Sequence, residues 1–377
     1  MFDRIFVPAA LRDALSDEAW LQALLDVERA LVAAEARAGV IPDDAADAIG
    51  EACRADRFDA AALADEGRSP GNPVEPLVRA LREAVGGDAA EYVHHGATSQ
   101  DVLDTAAMLV SRGALGVIVE SLEEIAAEAA GLAEADRSTP MVGRTLLQQA
   151  LPTTFGLKAA GWLIALLEAR QALVRVREER LAVQFGGAAG TLAGLGEAGP
   201  EVVSFLAEEL GLHAPPLSWH TNRVRIGELG SALALAAGVA AKIGLDVGLL
   251  SQNEVGEVSE AAPGASSAMP HKRNAVGSLL AVACARQATA QAGALLASVV
   301  QEHERAFGAW HAEWPALVGA LGYTGGAVDG AKRALTGLEV HAGRMLANLE
   351  ASGLGTDLGS AEGLVDRALR EYRSEPA

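Results

Sequence analysis

The chain is poor in aromatic residues, with 7 Phe, 5 Trp and 3 Tyr among 377 residues. Half of the residues are hydrophobic, but Ala and Leu supply most of that half. Both are strong helix formers, whereas aromatic and β-branched residues favour strands. The composition therefore favours helices over most of the length and argues against a β-sandwich or a β-barrel. At roughly 100–200 residues per domain, the length predicts two or three domains.

Cysteine is nearly absent, because the chain carries only Cys53 and Cys284. Two cysteines cannot form a disulfide framework, and no Cys/His cluster has the spacing of a zinc site. The run Met1–Pro8 has no basic region followed by an apolar core, so no signal peptide is expected. We therefore expect a cytoplasmic protein in a reducing compartment.

Positive charge is scarce as well, and the formal net charge is −20. A surface this acidic repels nucleic-acid phosphates and anionic lipid, so we expect no nucleic-acid or membrane partner. An anionic small-molecule substrate would have to be held by a few locally placed cations. The chain has 26 Arg but only four Lys, which are Lys158, Lys242, Lys272 and Lys332.

Two segments are apolar enough to suggest membrane helices, Leu229–Leu250 and Asn274–Val300. Lys242 and Asp246 interrupt the first and Arg286 interrupts the second, so neither reaches 18 uncharged residues. We therefore predict that both are helices buried on all sides.

Residues 1–88 are predicted to form an N-terminal helical domain. A helix is expected over Glu18–Ala38, with Ser16 and Asp17 as capping residues and Gly39 as the stop. The further expected elements are a helix opening at Asp43, a loop over 67–73 and a helix over Pro76–Val85.

Residues 89–320 are predicted to form a central bundle of very long helices, and residues 321–377 a curtailed C-terminal helical region. Helices of about thirty residues exceed the usual globular length and are typical of a bundle. Their apolar faces are wider than a monomer should expose, which predicts an obligate oligomer. The four expected helices are Ser99–Ala133, Leu146–Ala182, Arg223–Val258 and Asn274–His311.

Three polar segments interrupt this apolar pattern, and each is predicted to stand at a helix start. We name them motif 1 (94–101, HHGATSQD), motif 2 (143–149, GRTLLQQ) and motif 3 (263–274, PGASSAMPHKRN). Motif 1 places Thr98 and Ser99 where free amides can bind an anion, although an ordinary N-cap has the same composition. Motif 2 alone predicts a capped surface helix. Motif 3 combines paired Ser with Lys, Arg and Asn, which a flexible linker would not explain.

Motif 3 resembles the G-S-S-x-M-P-x-K-x-N signature of the fumarase/aspartase superfamily, with Ala265 in place of the Gly before the serine pair. Motif 1 resembles that superfamily's H-x-G-x-T-S-x-D segment, and motif 2 its G-R-T-x-x-Q segment. Three motifs in the same order, over about 180 residues, are far more specific than one. The resemblance implies an all-α, long-helix bundle whose central domain is assembled in a homotetramer.

Within the superfamily, further stretches resemble the short bacterial 3-carboxy-cis,cis-muconate cycloisomerases. They are 143–162, 184–192, 219–223 and 300–305. The resemblance implies a reversible lactonisation in protocatechuate catabolism, in which a substrate carboxylate adds across a C=C bond and the reverse step is a β-elimination. It also implies a small polycarboxylate substrate and no metal or organic cofactor. The alternatives are adenylosuccinate lyase or another β-elimination lyase of the superfamily, and a helical scaffold without catalytic activity.

The resemblance also implies roles for single residues. Ser266 is expected to transfer the proton, with Lys272 and nearby amides increasing its acidity, and His95 is a further catalytic candidate. Substrate carboxylates are expected to bind the remaining motif residues and two residues of a later segment. These are Thr98, Ser99, Arg144, Gln148, Ser267, Met269 and Asn274, with His220 and Arg223.

The general acid stays open in this interpretation. Leu146 replaces the His of adenylosuccinate lyases, and Gln149 stands where some cycloisomerases carry His. His95, His220 and His271 are the titratable groups that could handle a second proton.

Overall fold

The computed structural model describes residues 2–269 and 271–374 and shows an almost entirely helical protein. The predicted N-terminal helices are confirmed. Helix α3 begins after Ser16, whose hydroxyl accepts a hydrogen bond from the Ala19 amide, and it ends just before Gly39, which has a φ of 70°. The helices of this region are α1 (Asp3–Phe6), α2 (Ala9–Ala14), α3 (Asp17–Arg37), α4 (Asp43–Ala52), α5 (Ala60–Glu66) and α6 (Val74–Val85).

Long helices form the central bundle, and shorter elements cover its flanks. In chain order the elements are α7 (Ser99–Ala135), β1 (Pro140–Thr145), β2 (Gln148–Thr154), α8 (Phe155–Glu179), α9 (Gly199–Leu210), α10 (Val224–Leu250), β3 (Val258–Ser259), α11 (Val276–Ala297), α12 (Ala309–Leu335), β4 (Glu339–Val340), α13 (Ala342–Ser352) and α14 (Ala361–Ser374). One apolar core runs through the bundle, and a second lies between α3, α9 and the other N-terminal helices.

The bundle has two chemically different ends. Helices α7, α10 and α12 start together at one end, where Arg223 bonds Asp104 and Glu313; we call it the triad end. Helices α8 and α11 start at the opposite end, beside the antiparallel hairpin β1–β2; we call it the hairpin end. At ~1.5 Å rise per residue, the 27 residues of α10 separate the two ends by ~40 Å.

Glycines allow the closest helix contacts in the bundle. A Cβ placed at Gly277 would lie 2.7 Å from the backbone nitrogen of Ala334, and one at Gly330 would overlap the backbone of Ala281. Helices α11 and α12 therefore pack backbone to backbone along their shared face. A Cβ at Gly326 would likewise overlap the Phe6 carbonyl, so the N-terminal segment lies directly on α12.

The predicted helix Leu146–Ala182 is wrong over its first nine residues, which belong to the hairpin. Strand β1 pairs with β2 in antiparallel register, and Thr145 opposite Gln148 closes a two-residue turn. Leu146 and Leu147 occupy that turn with φ values of 52° and 65°. Pro152 and the threonines after it disfavour a helix in β2, so α8 begins only where Thr154 Oγ accepts a hydrogen bond from the Leu157 amide.

The predicted helix Asn274–His311 is two helices rather than one. Helix α11 ends at Ala297, and an irregular segment leads to Gly308, which has a φ of 100°. His303 within that segment has a φ of 46°, a left-handed conformation that no continuous right-handed helix can contain. Helix α12 then crosses the predicted division at residue 320, and the three-domain division itself stays a prediction.

Helix α10 is shorter than predicted, because it ends at Leu250 rather than Val258.

Three helices, α7, α10 and α11, are long and apolar enough to cross a bilayer by length and composition alone. In the fold α10 and α11 pack on each other, and all three helices pack on α12. The most apolar stretch of α7 is 72% buried within the protomer, against 44% for α10 and 39% for α11. Helices α10 and α11 therefore present apolar faces that this one chain does not cover.

Replacement of Gly330 by Ala should destabilise the protein. The added methyl group would meet backbone atoms of Ala281, which cannot turn aside as a flexible side chain would. Overpacking of this kind costs about 1–3 kcal/mol, so the thermal unfolding midpoint should fall. The matched control is Gly363→Ala in α14, where the added Cβ meets open space. That variant should be unchanged or stabilised by about 0.5–1 kcal/mol, and equal midpoints for the two variants would contradict the packing described here.

Candidate active site

Motif 1 is built around the buried carboxylate of Asp101 at the triad end. Its Oδ1 accepts hydrogen bonds from His220 Nε2 at 2.7 Å and from the Gly186 amide at 3.0 Å. Its Oδ2 accepts from the amides of Gly187 at 2.8 Å and Thr98 at 3.1 Å. Burial raises the pKa of Asp101, against the lowering effect of these donors. The carboxylate thus fixes the start of α7 against the 186–187 turn and the segment that carries His220.

Arg223 lies one helical turn further in, between two carboxylates. Its guanidinium bonds Asp104 at 2.7 and 3.0 Å and Glu313 at 2.5–3.2 Å, and the side chain is 1% exposed. Trp310 Nε1 also donates to Asp104, and Gln301 to Glu313. The pairs leave Arg223 no surface for a substrate, so it is a structural residue here, which departs from its predicted role in substrate binding.

Two consecutive histidines of motif 1 are held by buried carboxyl groups of α3. His94 Nδ1 lies 2.6 Å from Glu28 Oε1, and His95 Nδ1 lies 3.1 Å from Glu35 Oε1. Both glutamates are fully buried, and His94 has a φ of 61°. Although burial opposes it, the Glu28 carboxylate raises the pKa of His94. Burial, reinforced by Glu28, raises the pKa of Glu35 to about 8.

Motif 2 forms the hairpin rather than a helix start, so that part of the prediction is wrong. Arg144 makes a two-pronged ion pair with the buried Glu257, at 2.9 and 2.7 Å. Asn348 of α13 donates to the same carboxylate. Gln148, predicted to bind substrate, is exposed on β2 next to the turn. The hairpin therefore presents its tip outward from a firmly anchored base.

Motif 3 is a loop closed at its base. Gly264 and Asn274 exchange backbone hydrogen bonds, and Asn274 Nδ2 also donates to the Gly264 carbonyl at 3.3 Å. The buried carboxylate of Glu260 accepts hydrogen bonds from the amides of Gly277 and Ser278 and so caps α11 just after the loop. Pro270 lies outside the described residues. The loop is thus tethered at both ends while its middle reaches into solvent.

The predicted chemical groups of motif 3 occupy the middle of this loop. Ser266 Oγ accepts hydrogen bonds from the amides of Met269 at 3.1 Å and Ala268 at 3.4 Å. Ser267, Met269 and Lys272 are exposed. Across residues 2–269 and 271–374, the Lys272 ammonium has no hydrogen-bond or ion-pair partner, so its charge is available to a ligand.

The described chain brings motifs 2 and 3 to one end of the bundle and leaves motif 1 at the other. Arg144 and Glu257 join the hairpin to the segment that leads into the motif 3 loop. Asp101 and Arg223 hold motif 1 at the opposite end of α10, ~40 Å away. Ser266 and Thr98 of the same chain therefore cannot contact one substrate.

Buried carboxylates were the functional positions that sequence reasoning missed. Asp104, Glu257 and Glu260 each neutralise or orient a motif, as do Glu28 and Glu35. A signal exists for Asp104: it follows Asp101 by three residues on an otherwise apolar helix, where a charge requires a partner. Across the described ranges, 2–269 and 271–374, no group of three or more His, Cys, Asp or Glu side chains could hold a metal ion.

Comparison with known proteins agrees with the motifs. A protein-family model described as "Lyase" matches residues 7–306. The chain is 48% identical to the 3-carboxy-cis,cis-muconate cycloisomerase of Pseudomonas aeruginosa, over 93% of this chain and 77% of the relative. It is also 48% identical to the nitrosuccinate lyase of Streptomyces davaonensis, over 90% of this chain and 74% of the relative.

A solved structure extends the agreement to the whole fold. The crystal structure of 3-carboxy-cis,cis-muconate lactonizing enzyme from Pseudomonas putida superimposes with a TM-score of 0.91 at 37% identity, covering 99% of both chains. The expected all-α bundle is confirmed. With a family match over most of its length and relatives at this level of identity, the chain belongs to the fumarase/aspartase superfamily of lyases.

Proposed function

We propose that this enzyme is a 3-carboxy-cis,cis-muconate cycloisomerase, which interconverts that tricarboxylate and its carboxymuconolactone. The observation that carries the proposal is motif 3, with Ser266 and a Lys272 that has no partner among the described residues, in a chain 48% identical to a relative of that name. A decayed scaffold would not be expected to retain an exposed lysine and a serine at the family spacing.

The missing general acid supports this substrate class. Leu146 stands where the resemblance to adenylosuccinate lyases implies a His, and a leucine cannot deliver a proton. An amine must gain a proton as it departs, because without one it would leave as an amide anion, which is a far stronger base than a carboxylate. A carboxylate leaves as a stable anion, since its conjugate acid has a pKa of about 3.5. The residues present therefore favour expulsion of an anion and disfavour adenylosuccinate, which must expel an amine.

The proposed chemistry needs one proton transfer and one site of charge stabilisation. In lactonisation the substrate carboxylate oxygen bonds to the alkene carbon, and Ser266 gives a proton to the neighbouring carbon. Between these two events the electron pair of the C=C bond rests on a second carboxylate as the aci-carboxylate, and it returns to form the C–H bond when the proton arrives, leaving the Ser266 oxygen as alkoxide. Lys272 and Asn274 are the donors that stabilise that extra charge once the loop closes over the substrate. Thr98, Ser99 and Gln148 hold the remaining carboxylate oxygens.

This chemistry requires an assembly, which we propose is a cytoplasmic homotetramer. Motif 1 lies ~40 Å from motifs 2 and 3, so a complete site needs motifs from different chains. Helices α10 and α11 also expose large apolar side chains, with Leu235 at 61%, Leu245 at 52% and Leu279 at 59% exposure. Pairing of these faces removes that surface from water and brings opposite bundle ends together when the helices run antiparallel.

Nitrosuccinate is the second candidate substrate. A relative of that activity by name is 48% identical over 90% of this chain. Its β-elimination would expel nitrite, which also leaves as a stable anion and needs no general acid. The absence of the acid histidine therefore does not separate the two candidates, and turnover must decide.

Purified enzyme should convert 3-carboxy-cis,cis-muconate with loss of the diene ultraviolet absorbance, and adenylosuccinate should not react. Nitrosuccinate should give nitrite, read by a colorimetric assay, at a kcat/KM at least a hundredfold lower than that for carboxymuconate. The reverse order of the two kcat/KM values would assign the enzyme to nitrosuccinate.

Ser266→Ala should lower kcat by more than a hundredfold, because general acid–base catalysis contributes 10²–10⁴-fold. Ser267→Ala is the matched control: it removes a neighbouring hydroxyl of the same size and should cost roughly tenfold at most, the value of one hydrogen bond. Kinetics of both variants, with size-exclusion chromatography to confirm assembly, test this assignment. Two similar small losses would show that another group moves the proton.

Two inactive variants, Thr98→Ala and Ser266→Ala, should complement each other after subunit exchange. If Thr98 and Ser266 of one site come from different chains, random mixing in equal amounts leaves about a quarter of the sites intact. Activity of the mixture should therefore rise to about a quarter of the wild-type value. No recovery after exchange has been verified by mass spectrometry would mean that each site takes both residues from one chain.

A further inference from the structure

The arginines near the motifs are largely committed to the protein itself. Arg144 is paired with Glu257, and Arg223 with Asp104 and Glu313. Arg305 donates to Gln100 Oε1 and to the carbonyls of the 187–188 turn. A substrate with three carboxylates therefore needs a donor at motif 1 other than these guanidinium groups.

His95 is the histidine of motif 1 whose ring is both partly exposed and free at one nitrogen among the described residues. Its Nδ1 faces Glu35, and the imidazole is 34% exposed. Across residues 2–269 and 271–374, Nε2 has no hydrogen-bond partner. The neighbouring imidazoles differ: His220 points its Nε2 at Asp101, and His94 is only 14% exposed. His95 also stands three residues before Thr98, at the start of α7.

Glu35, like Glu28 on the same helix, is fully buried and half satisfied. Its Oε1 faces His95, while Oε2 lies buried without a partner among the described residues. A carboxylate with an unpartnered oxygen is costly to bury, whereas a carboxylic acid is much less so. The pKa of about 8 for Glu35 agrees with a group that keeps its proton at neutral pH.

We propose that His95 Nε2 binds the additional carboxylate of a tricarboxylate substrate, an inference that rests on the cycloisomerase assignment above. Glu35 is then the positioning residue that keeps a proton available to His95. In the free enzyme Glu35 donates its O–H to His95 Nδ1, which fixes the tautomer with hydrogen on Nε2. When a carboxylate binds at Nε2, the proton moves from Glu35 to Nδ1, leaving an imidazolium between two carboxylates. The pair holds two protons before and after this shift, so binding takes up none from solution.

Other titratable groups lie on α3 and on the segments packed against it. Glu28 on the same helix is bonded to His94 through one oxygen, and Cys53 at the end of α4 is a neutral thiol because burial raises its pKa to about 12. Four of the carboxylates on the other segments packed on α3 are ion-paired. They are Asp101 on α7 with His220, Glu208 on α9 with Arg37, Glu66 on α5 with Arg79, and Asp56 after α4 with Arg54.

The test is ligand binding rather than turnover, so that it does not depend on which substrate the enzyme converts. Tricarballylate and glutarate share a carbon chain and differ by one central carboxylate. Titration calorimetry on the assembled wild-type enzyme should show about tenfold tighter binding of tricarballylate, the value of one charge-assisted hydrogen bond. In His95→Gln this preference should disappear at every pH. His213→Gln, an exposed histidine at the end of α9, should retain it.

The pH dependence separates Glu35 from a merely structural residue. In wild type the preference should hold through neutral pH and fall as pH rises through about 8, where Glu35 loses its proton. In Glu35→Gln the imidazole must take its second proton from solution rather than from the carboxyl group, so the preference should fall at a lower pH than in wild type. Glu28→Gln, a matched buried substitution on the same helix, should keep the midpoint above that of Glu35→Gln.

Several outcomes would overturn the inference. They are equal affinity for the two ligands in wild type, a preference that survives His95→Gln, or a shared midpoint for wild type and Glu35→Gln. The wild-type pH profile alone decides if both variants fail to assemble. Failure of the cycloisomerase assignment is distinguishable, because it would appear as no turnover of carboxymuconate while the tricarballylate preference remains.

Discussion

The ion triad of Arg223 with Asp104 and Glu313 is the interaction on which the rest of the structure depends. It joins the starts of α7, α10 and α12 inside the protein, where the three side chains are almost unexposed. Burial raises the pKa of Glu313, and Asp104 adds to the rise. Loss of one member of such a group typically costs 3–5 kcal/mol, because the others stay buried without a partner. The triad therefore fixes the relative positions of three helices along the bundle axis, and with them the position of motif 1.

The sequence predicted the helices and the motifs well where local chemistry decides the structure. Ser16 and Gly39 mark the ends of α3, and the family motifs indicated the bundle. The hairpin was missed because Leu146 and Leu147 have no turn preference and adopt positive φ only under tertiary constraint. The break before α12 was missed for the same reason at His303. The carboxylates that hold the site, such as Glu35 and Glu257, lie far along the chain from their partners, and no local pattern reveals such pairs.

The two ends of the bundle contribute different parts of the proposed site. The triad end is a network of buried ion pairs and hydrogen bonds, and it suits the recognition of a fixed arrangement of carboxylates. The hairpin end carries a tethered loop with the proposed proton-transfer residue, Ser266, and the exposed Lys272. The motif 1 network and the motif 3 loop lie at opposite ends of the same helices. A site that combines them has one preorganised side, from motif 1, and one side, the motif 3 loop, that closes over the substrate.

The uncovered faces of α10 and α11 have a consequence for the newly made chain. A protomer with exposed leucines is prone to nonspecific aggregation before it finds its partners. The net charge of −20 opposes that process by electrostatic repulsion between chains. At physiological ionic strength this repulsion extends only about 8 Å, so it slows random collisions yet is overcome once complementary helices align. The acidic composition thus slows the aggregation of newly made chains before they assemble.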